Sequence, residues 1–82
     1  MKPGNLVTVN RGAPLYEEVV TEEGGTVRHL SCSIQESSLC LEIQRSTGFV
    51  EWSQILVRGK ILWTGTDWLF NLQGKPVIDE TR

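Results

Sequence analysis

The chain has 82 residues, of which 39% are hydrophobic and 22% charged, and its formal net charge is −2. This length allows one domain with a small core, because a short chain buries a limited share of its surface, and the composition is not that of a disordered chain. The cationic residues are scattered rather than clustered in a stripe, and no apolar run reaches the ~18 residues of a membrane helix, so nucleic-acid binding and membrane insertion are disfavoured.

The first part of the chain predicts short β-strands, because apolar segments alternate with turn residues at intervals of roughly 8–12 residues. Residues 5–10 alternate in hydropathy, which places their two valines in the core. A turn over residues 11–14 leads to a second extended piece at Leu15-Tyr16. The polar, glycine-rich segment 22–25 then predicts the turn of a hairpin.

The middle of the chain leaves one choice open. Residues 31–38 are polar around a single isoleucine and predict a loop that carries a short strand, with a helix over residues 34–41 as the alternative. After them, Leu39, Leu41 and Ile43 alternate with cysteine and polar residues, and this pattern favours a strand.

The last part of the chain predicts a β-hairpin over residues 52–65. Two alternating apolar segments flank the dipeptide Arg58-Gly59, which has the length and the glycine of a tight turn. A Thr-Asp pair just after the hairpin can cap a short helical turn, and a last short strand follows. The polar residues 75–82 are predicted to be a tail, which leaves residues 1–74 as the single folded domain.

Two segments resemble a known group of proteins. The sequence QILVRGKILWTGTDWLFNL, residues 54–72, resembles the end of small SH3-like proteins encoded by marine and cyanobacterial tailed phages, and KPGNLVTV, residues 2–9, is similar to their usual start. Their common pattern places Asp where this chain has Arg58, and the likeness leaves residues 21–47 uncovered. The resemblance implies an all-β fold, a small SH3-like barrel of five or six short strands with a short helical turn before the last strand, and a phage origin. It implies no catalytic residue.

Three tryptophans in so short a chain are a sign of a binding surface, because SH3-like barrels often hold linear peptides against exposed aromatic side chains. An aromatic groove would be built from Tyr16, Trp52 and Trp68. The alternative is that each tryptophan packs the small core or one of its open ends. The full set of candidate protein-binding residues is Tyr16, Trp52, Trp63, Trp68 and Arg58.

The sequence carries no recognisable catalytic or metal-binding pattern. Cys32, Cys40 and His29 supply three potential zinc ligands, but a structural zinc site needs four, so no metal, cofactor or catalytic residue is predicted. The cysteines are expected to be free thiols, with Cys40 on a strand face and a disulfide forming only in an oxidising medium. A barrel of this size also leaves little room for a substrate pocket of ~300 Å³, and we therefore expect a non-enzyme without a small-molecule substrate.

The preferred hypothesis is a non-catalytic structural or assembly module, a small phage virion or accessory protein found in the virion or the host cytoplasm. It would dock on a larger protein, or self-associate, through edge strands and tryptophan side chains. A regulator that docks on a host enzyme would look the same in sequence. One alternative is an adaptor for a linear peptide, which requires Tyr16 and Trp52 to be adjacent and exposed. Another is a nucleic-acid-associated small barrel, which the net negative charge disfavours.

Overall fold

Seven β-strands form one antiparallel sheet within residues 5–78, the part of the chain that this computed structural model describes. The strands follow the spatial order β3-β2-β6-β5-β4-β1-β7. A single turn of 3-10 helix at Thr66–Trp68 precedes the last strand, so the all-β class and the helical turn are both confirmed. The strands are β1 Leu6–Val9, β2 Pro14–Val20, β3 Thr26–Ser33, β4 Ser38–Ser46, β5 Trp52–Val57, β6 Lys60–Gly65 and β7 Leu69–Phe70.

The predicted number of five or six short strands is wrong, because the middle of the chain forms two long strands. β3 has eight residues and β4 has nine, and only residues 34–37 separate them. The alternative helix over residues 34–41 is therefore wrong as well. Residues 31–33, the end of β3, were not predicted as part of a long strand because they are polar. A strand at the edge of a sheet with exposed faces needs few apolar residues.

The hydrophobic core lies on one face of the sheet, where alternate residues of each strand point inward. Val7 and Val9 of β1 are fully buried, as the alternation predicted. Ile55 of β5 is buried opposite Leu62 of β6. The remaining buried apolar side chains of the core are Ala13, Leu15, Ile34, Cys40, Val57, Leu69 and Val77.

The predicted hairpin over residues 52–65 is confirmed. Strands β5 and β6 pair in register over their full lengths. The two turn residues both have positive φ, 51° at Arg58 and 79° at Gly59. This is the signature of a type I′ turn, whose twist matches that of the strands it joins.

The sheet is open in the described residues, with β3 at one edge and β7 at the other. Its weakest ladder joins β2 to β6, which share the single residue pair Tyr16–Trp63. Next to this pair, Thr64 Oγ1 donates a hydrogen bond of 2.8 Å to the carbonyl oxygen of Pro14. Elsewhere the two strands lie side by side without paired residues, and this unpaired stretch is called the split below.

The outer part of the β2–β3 hairpin is exposed on both faces. In the two strands beyond Tyr16, every residue from 17 to 20 and from 26 to 30 is exposed except Arg28, which is half-buried. The predicted turn at residues 22–25 is confirmed: the Thr21 N–H donates to the Gly25 carbonyl (2.7 Å) and the Gly24 N–H to the Thr21 carbonyl (3.0 Å). Residues 17–30 are called the β2–β3 arm below.

The segment predicted to be a tail after residue 74 is packed against the domain where it is described. Pro76 forms a β-bridge with Phe70, and the Asn71 N–H donates to the Lys75 carbonyl (2.8 Å). Val77 is fully buried in the core. The boundary at residue 74 is therefore wrong, because the domain includes at least residues 75–78; the rest of the predicted tail, residues 79–82, lies outside the described residues.

Candidate protein-binding surface

Three aromatic side chains and one arginine meet on the face of the sheet opposite the core. The Tyr16 and Trp52 rings lie 5.1 Å apart, edge to face, with an interplanar angle of 84°. The Arg28 guanidinium lies 4.1 Å from the centroid of the Trp63 ring and 5.1 Å from that of Trp52. These four residues are called the aromatic cluster below.

Strand register explains why the cluster forms. Tyr16 pairs with Trp63 across β2 and β6, and Trp52 pairs with Gly65, two positions beyond Trp63 on β6. Residues two apart in a strand share a face, so all three rings project from the same side of the sheet.

Arg28 is the member of the cluster that sequence reasoning missed. It belongs to the edge strand β3, and its side chain crosses β2 to reach Trp63 on β6. Glu18, its cross-strand neighbour on β2, lies 3.9 Å from the guanidinium and keeps it on this face. With Arg28 stacked on it, Trp63 is only 5% exposed. The sequence around Arg28 does not predict its contact with Trp63, because that contact depends on the pairing of three strands.

The cluster contains two polar atoms without a hydrogen-bond partner in the described residues, Arg28 Nε and Trp63 Nε1. Both are donors, and both are buried beside the aromatic rings. Buried donors of this kind ordinarily find an acceptor. In this arrangement the fold itself covers both donors, so neither is presented to a partner at the surface.

The predicted groove of Tyr16, Trp52 and Trp68 forms only in part. The structure brings Tyr16 and Trp52 together, as the peptide-groove hypothesis required, and places Trp63 beside them. The Tyr16 and Trp52 rings, however, are half-buried rather than exposed. Trp68 packs instead against the hydrophobic core and lies close to the α-carbons of two glycines, Gly12 and Gly65. The core-packing alternative is thus correct for Trp68, and the Arg28 guanidinium occupies the space beside the other rings.

Arg58 lies apart from the cluster, at the exposed turn of the β5–β6 hairpin. Its Nη2 donates a long hydrogen bond of 3.3 Å to Ser38 Oγ at the start of β4. This contact links the hairpin turn to the neighbouring strand. Among the candidate binding residues, Arg58 therefore belongs to a different part of the surface.

A row of four aliphatic side chains crosses the same outer face next to the cluster. The register pairs Leu6 with Leu41, Leu41 with Leu56, and Leu56 with Ile61, so the row spans strands β1, β4, β5 and β6. Leu6 is 48% exposed, Leu56 38% and Ile61 58%. Ile61 lies two positions from Trp63 along β6, about 7 Å away, so this aliphatic row and the aromatic cluster form one surface.

A buried ionic network occupies the core side of β4 and β5. The Glu42 carboxylate is fully buried and accepts hydrogen bonds from Arg45 Nε (2.9 Å), Arg45 Nη2 (2.7 Å) and Ser53 Oγ (2.7 Å). Ser53 Oγ lies 2.6 Å from Thr66 Oγ1. A bulge between Glu42 and Gln44 lets both Glu42 and Arg45 face inward, whereas a regular strand would send residues three apart to opposite faces. Because its hydrogen-bonding capacity is used within the fold, this network is structural.

The two cysteines are free thiols, as expected. Cys40 is buried on β4, and burial, with a smaller effect from the nearby Glu42 charge, raises its pKa to about 11. Cys32 is exposed on β3. Within residues 5–78 no group of three or more His, Cys, Asp and Glu side chains is placed to hold a metal ion, and no helix there is long and apolar enough to cross a membrane.

The surface of the described residues has several depressions. One of about 420 Å³ lies beside β1 and β7, and one of about 380 Å³ lies between residues 48–51 and the 3-10 turn. Both are open to solvent, and their volumes exceed the ~300 Å³ for which the sequence predicted little room. A third, of about 200 Å³, opens into the split beside β2 and is described further below.

Comparison of this chain with protein-family models, with curated proteins and with solved structures finds no match. Its function is therefore inferred from the arrangement of the residues described above.

Proposed function

We propose that this protein is a non-catalytic assembly module that docks on another protein through the outer face of its sheet. The observation that carries the proposal is the aliphatic row of Leu6, Leu41, Leu56 and Ile61 on the outer face of β1, β4, β5 and β6. Leu41 is half-buried, and the other three side chains are exposed to solvent. Single exposed leucines are ordinary, but a contiguous apolar strip marks an interaction surface.

The surroundings of the row support a protein as the partner. Leu39, 60% exposed, extends the strip along β4, and the aromatic cluster continues it along β5 and β6. Tryptophan, tyrosine and arginine are the residue types most enriched among those that dominate binding energy at protein interfaces. The Arg28 guanidinium adds a cation to this otherwise apolar surface.

The same features argue against the two alternatives. A linear-peptide groove needs open space between the rings, and the Arg28 guanidinium occupies that space 4.1 Å from Trp63. A nucleic-acid surface needs several cations on one face, whereas the outer face carries Arg28 already close to Glu18.

We further propose that the domain is a variant of the small SH3-like barrels of tailed phages. It would act in the virion or as an accessory protein in the host cytoplasm. The tight hairpin over residues 52–65 and the 3-10 turn before the last strand support the likeness. The open sheet and the β2–β3 arm depart from the pattern. Self-association through the outer face is the form of docking that can be tested first, because it requires only the purified protein.

The test is photo-cross-linking with a benzophenone amino acid in place of Ile61, in a lysate of the native source and with purified protein. We expect a discrete adduct that excess unlabelled protein removes and that a Leu56→Lys/Ile61→Lys competitor does not. The same probe in place of Leu72, which is 63% exposed but lies outside the row, is the matched control. A probe at Ile61 that labels nothing beyond the Leu72 background, together with a strictly monomeric sedimentation profile, would rule the proposal out.

A further inference from the structure

The depression of about 200 Å³ is a cleft in the core side of the sheet, at the split between the β2–β3 hairpin and the β5–β6 hairpin. It exists because β2 and β6 are joined by one residue pair, so the side chains on either side of the split meet without a continuous ladder. Its position, on the face opposite the aliphatic row, makes it independent of the docking surface proposed above.

The floor and the rim of this cleft differ in chemistry. Its floor consists of apolar core side chains, Leu15, Ile34, Val57 and Leu62, each at most 4% exposed. Its rim carries two exposed cations, Arg58 and Lys60, together with Cys32 and Ser33. No acidic residue lines it within the described part of the chain.

We propose that this cleft binds a small apolar group that carries a carboxylate, such as the C-terminal residue of a peptide or a short fatty acid. An apolar side chain or alkyl chain would cover the floor, and the carboxylate would lie between the Arg58 and Lys60 side chains. Mostly apolar walls with a few convergent polar groups are the usual construction of a ligand site. A volume below the ~300 Å³ of drug-sized sites limits the occupant to one side chain or a few methylene groups.

The charges at the rim of the cleft favour an anion over a neutral ligand. Arg58 donates one hydrogen bond, to Ser38 Oγ, and its guanidinium carries four further N–H groups. Lys60 pairs with Val57 directly across the turn, and both Lys60 and Arg58 line the cleft. Guanidinium groups bind carboxylates by short charge-assisted hydrogen bonds, which are roughly twice as strong as neutral ones.

Cys32 supplies a direct readout, because it lines the cleft and is exposed. Cys40 stays unmodified near neutral pH, since it is buried and its thiol has a pKa of about 11. The rate of single alkylation by iodoacetamide, followed by mass spectrometry, therefore reports access to the cleft. The ligands are N-acetyl-leucine and hexanoate, and the matched neutral ligands are N-acetyl-leucinamide and hexanamide.

We expect both carboxylates, at up to about 10 mM, to slow alkylation of Cys32 by about tenfold, and both amides to leave it nearly unchanged. Stronger protection by N-acetyl-leucine would identify a peptide C-terminus as the source of the carboxylate, and stronger protection by hexanoate would identify a fatty acid. The Arg58→Gln/Lys60→Gln variant should bind at least about tenfold more weakly, whereas Arg11→Gln/Lys75→Gln, also a loss of two charges, should bind as the wild type does.

Three results would overturn the proposal: no protection by either carboxylate, equal protection by the amides, or full protection in the Arg58→Gln/Lys60→Gln variant. Methyl chemical shifts of Val57 and Leu62 in the titrated protein provide a second readout that does not depend on the cysteine. Because these residues lie on the core side, the result is separate from any outcome at Ile61 on the outer face.

Discussion

The Arg28 guanidinium lies 4.1 Å from the centroid of the Trp63 ring, and this contact fastens the edge strand β3 to the central strand β6. The backbone provides little for the same purpose, because β3 pairs with β2 and β2 shares only one pair with β6. The attachment of the β2–β3 hairpin thus depends on side chains.

Replacing Arg28 with alanine should lower the free energy of unfolding by about 1–2 kcal/mol, because the cation–π contact and the packing of the aliphatic stem over Trp63 are both lost. Arg28→Met, which keeps a stem of similar length, should lose less. Urea denaturation followed by tryptophan fluorescence measures both. Arg11→Ala removes a cation from an exposed position and is the control. Equal stability of Arg28→Ala and Arg11→Ala would show that the contact contributes nothing.

Replacing Arg45 with methionine should lower the free energy of unfolding by about 3–5 kcal/mol, since it leaves the fully buried Glu42 carboxylate without the two hydrogen bonds that compensate for its burial. The double variant Glu42→Leu/Arg45→Met should be more stable than Arg45→Met alone, because it also removes the fully buried Glu42 carboxylate that the single variant leaves without its cation. Chemical denaturation of the three proteins forms the comparison. A double variant less stable than the single one would mean that shape, not charge, governs this site.

Replacing Arg58 with asparagine should raise the free energy of unfolding by about 0.5–1 kcal/mol. A side chain at φ 51° is strained, whereas asparagine tolerates this conformation and Asn-Gly is the preferred type I′ dipeptide. For a domain of this size such a change raises the melting temperature by roughly 2–8 °C, which calorimetry detects. Gly59→Ala, at φ 79°, should lower it. The proposed carboxylate cleft predicts that Arg58→Asn loses ligand affinity while it gains stability.

Stability should fall at alkaline pH because of Cys40. Burial first, and the Glu42 charge second, raise the pKa of this thiol to about 11 from an ordinary 9.0, so the folded protein holds it neutral while the unfolded chain ionises it earlier. The stabilisation is therefore complete below about pH 9 and declines as the pH rises from 9 to 11. The difference in unfolding free energy between the wild type and Cys40→Ala, measured across this range, isolates the effect. A difference that is constant with pH would contradict it.

Local patterns predicted the parts of the fold that local residues determine. The alternation of residues 5–10 placed Val7 and Val9 in the core, and Arg58-Gly59 fixed the hairpin of residues 52–65. The end of β3 could not be predicted in this way, because an edge strand exposed on both faces has no hydropathy period. The burial of Val77 could not be predicted either, because a single apolar dipeptide in a polar segment does not indicate which residues it packs against.

The candidate surface was predictable only in part, for a physical reason that β4 illustrates. Leu39 and Leu41 alternate with Cys40 and Glu42, and such a pattern ordinarily sends leucines inward. The fold does the opposite, because Glu42 joins the buried ionic network and turns the leucines to the solvent. A bulge and a buried ion pair arise from contacts between strands, so a single strand's sequence does not reveal them.

The β2–β3 arm has a practical consequence for engineering. Its tip, residues 22–25, is exposed and is held by hydrogen bonds between Thr21 and the glycines of the turn, so extra residues inserted there would disturb neither of the two proposed binding regions. A fluorescent label or an affinity epitope could be placed at this tip and both surfaces then assayed in the same tagged protein.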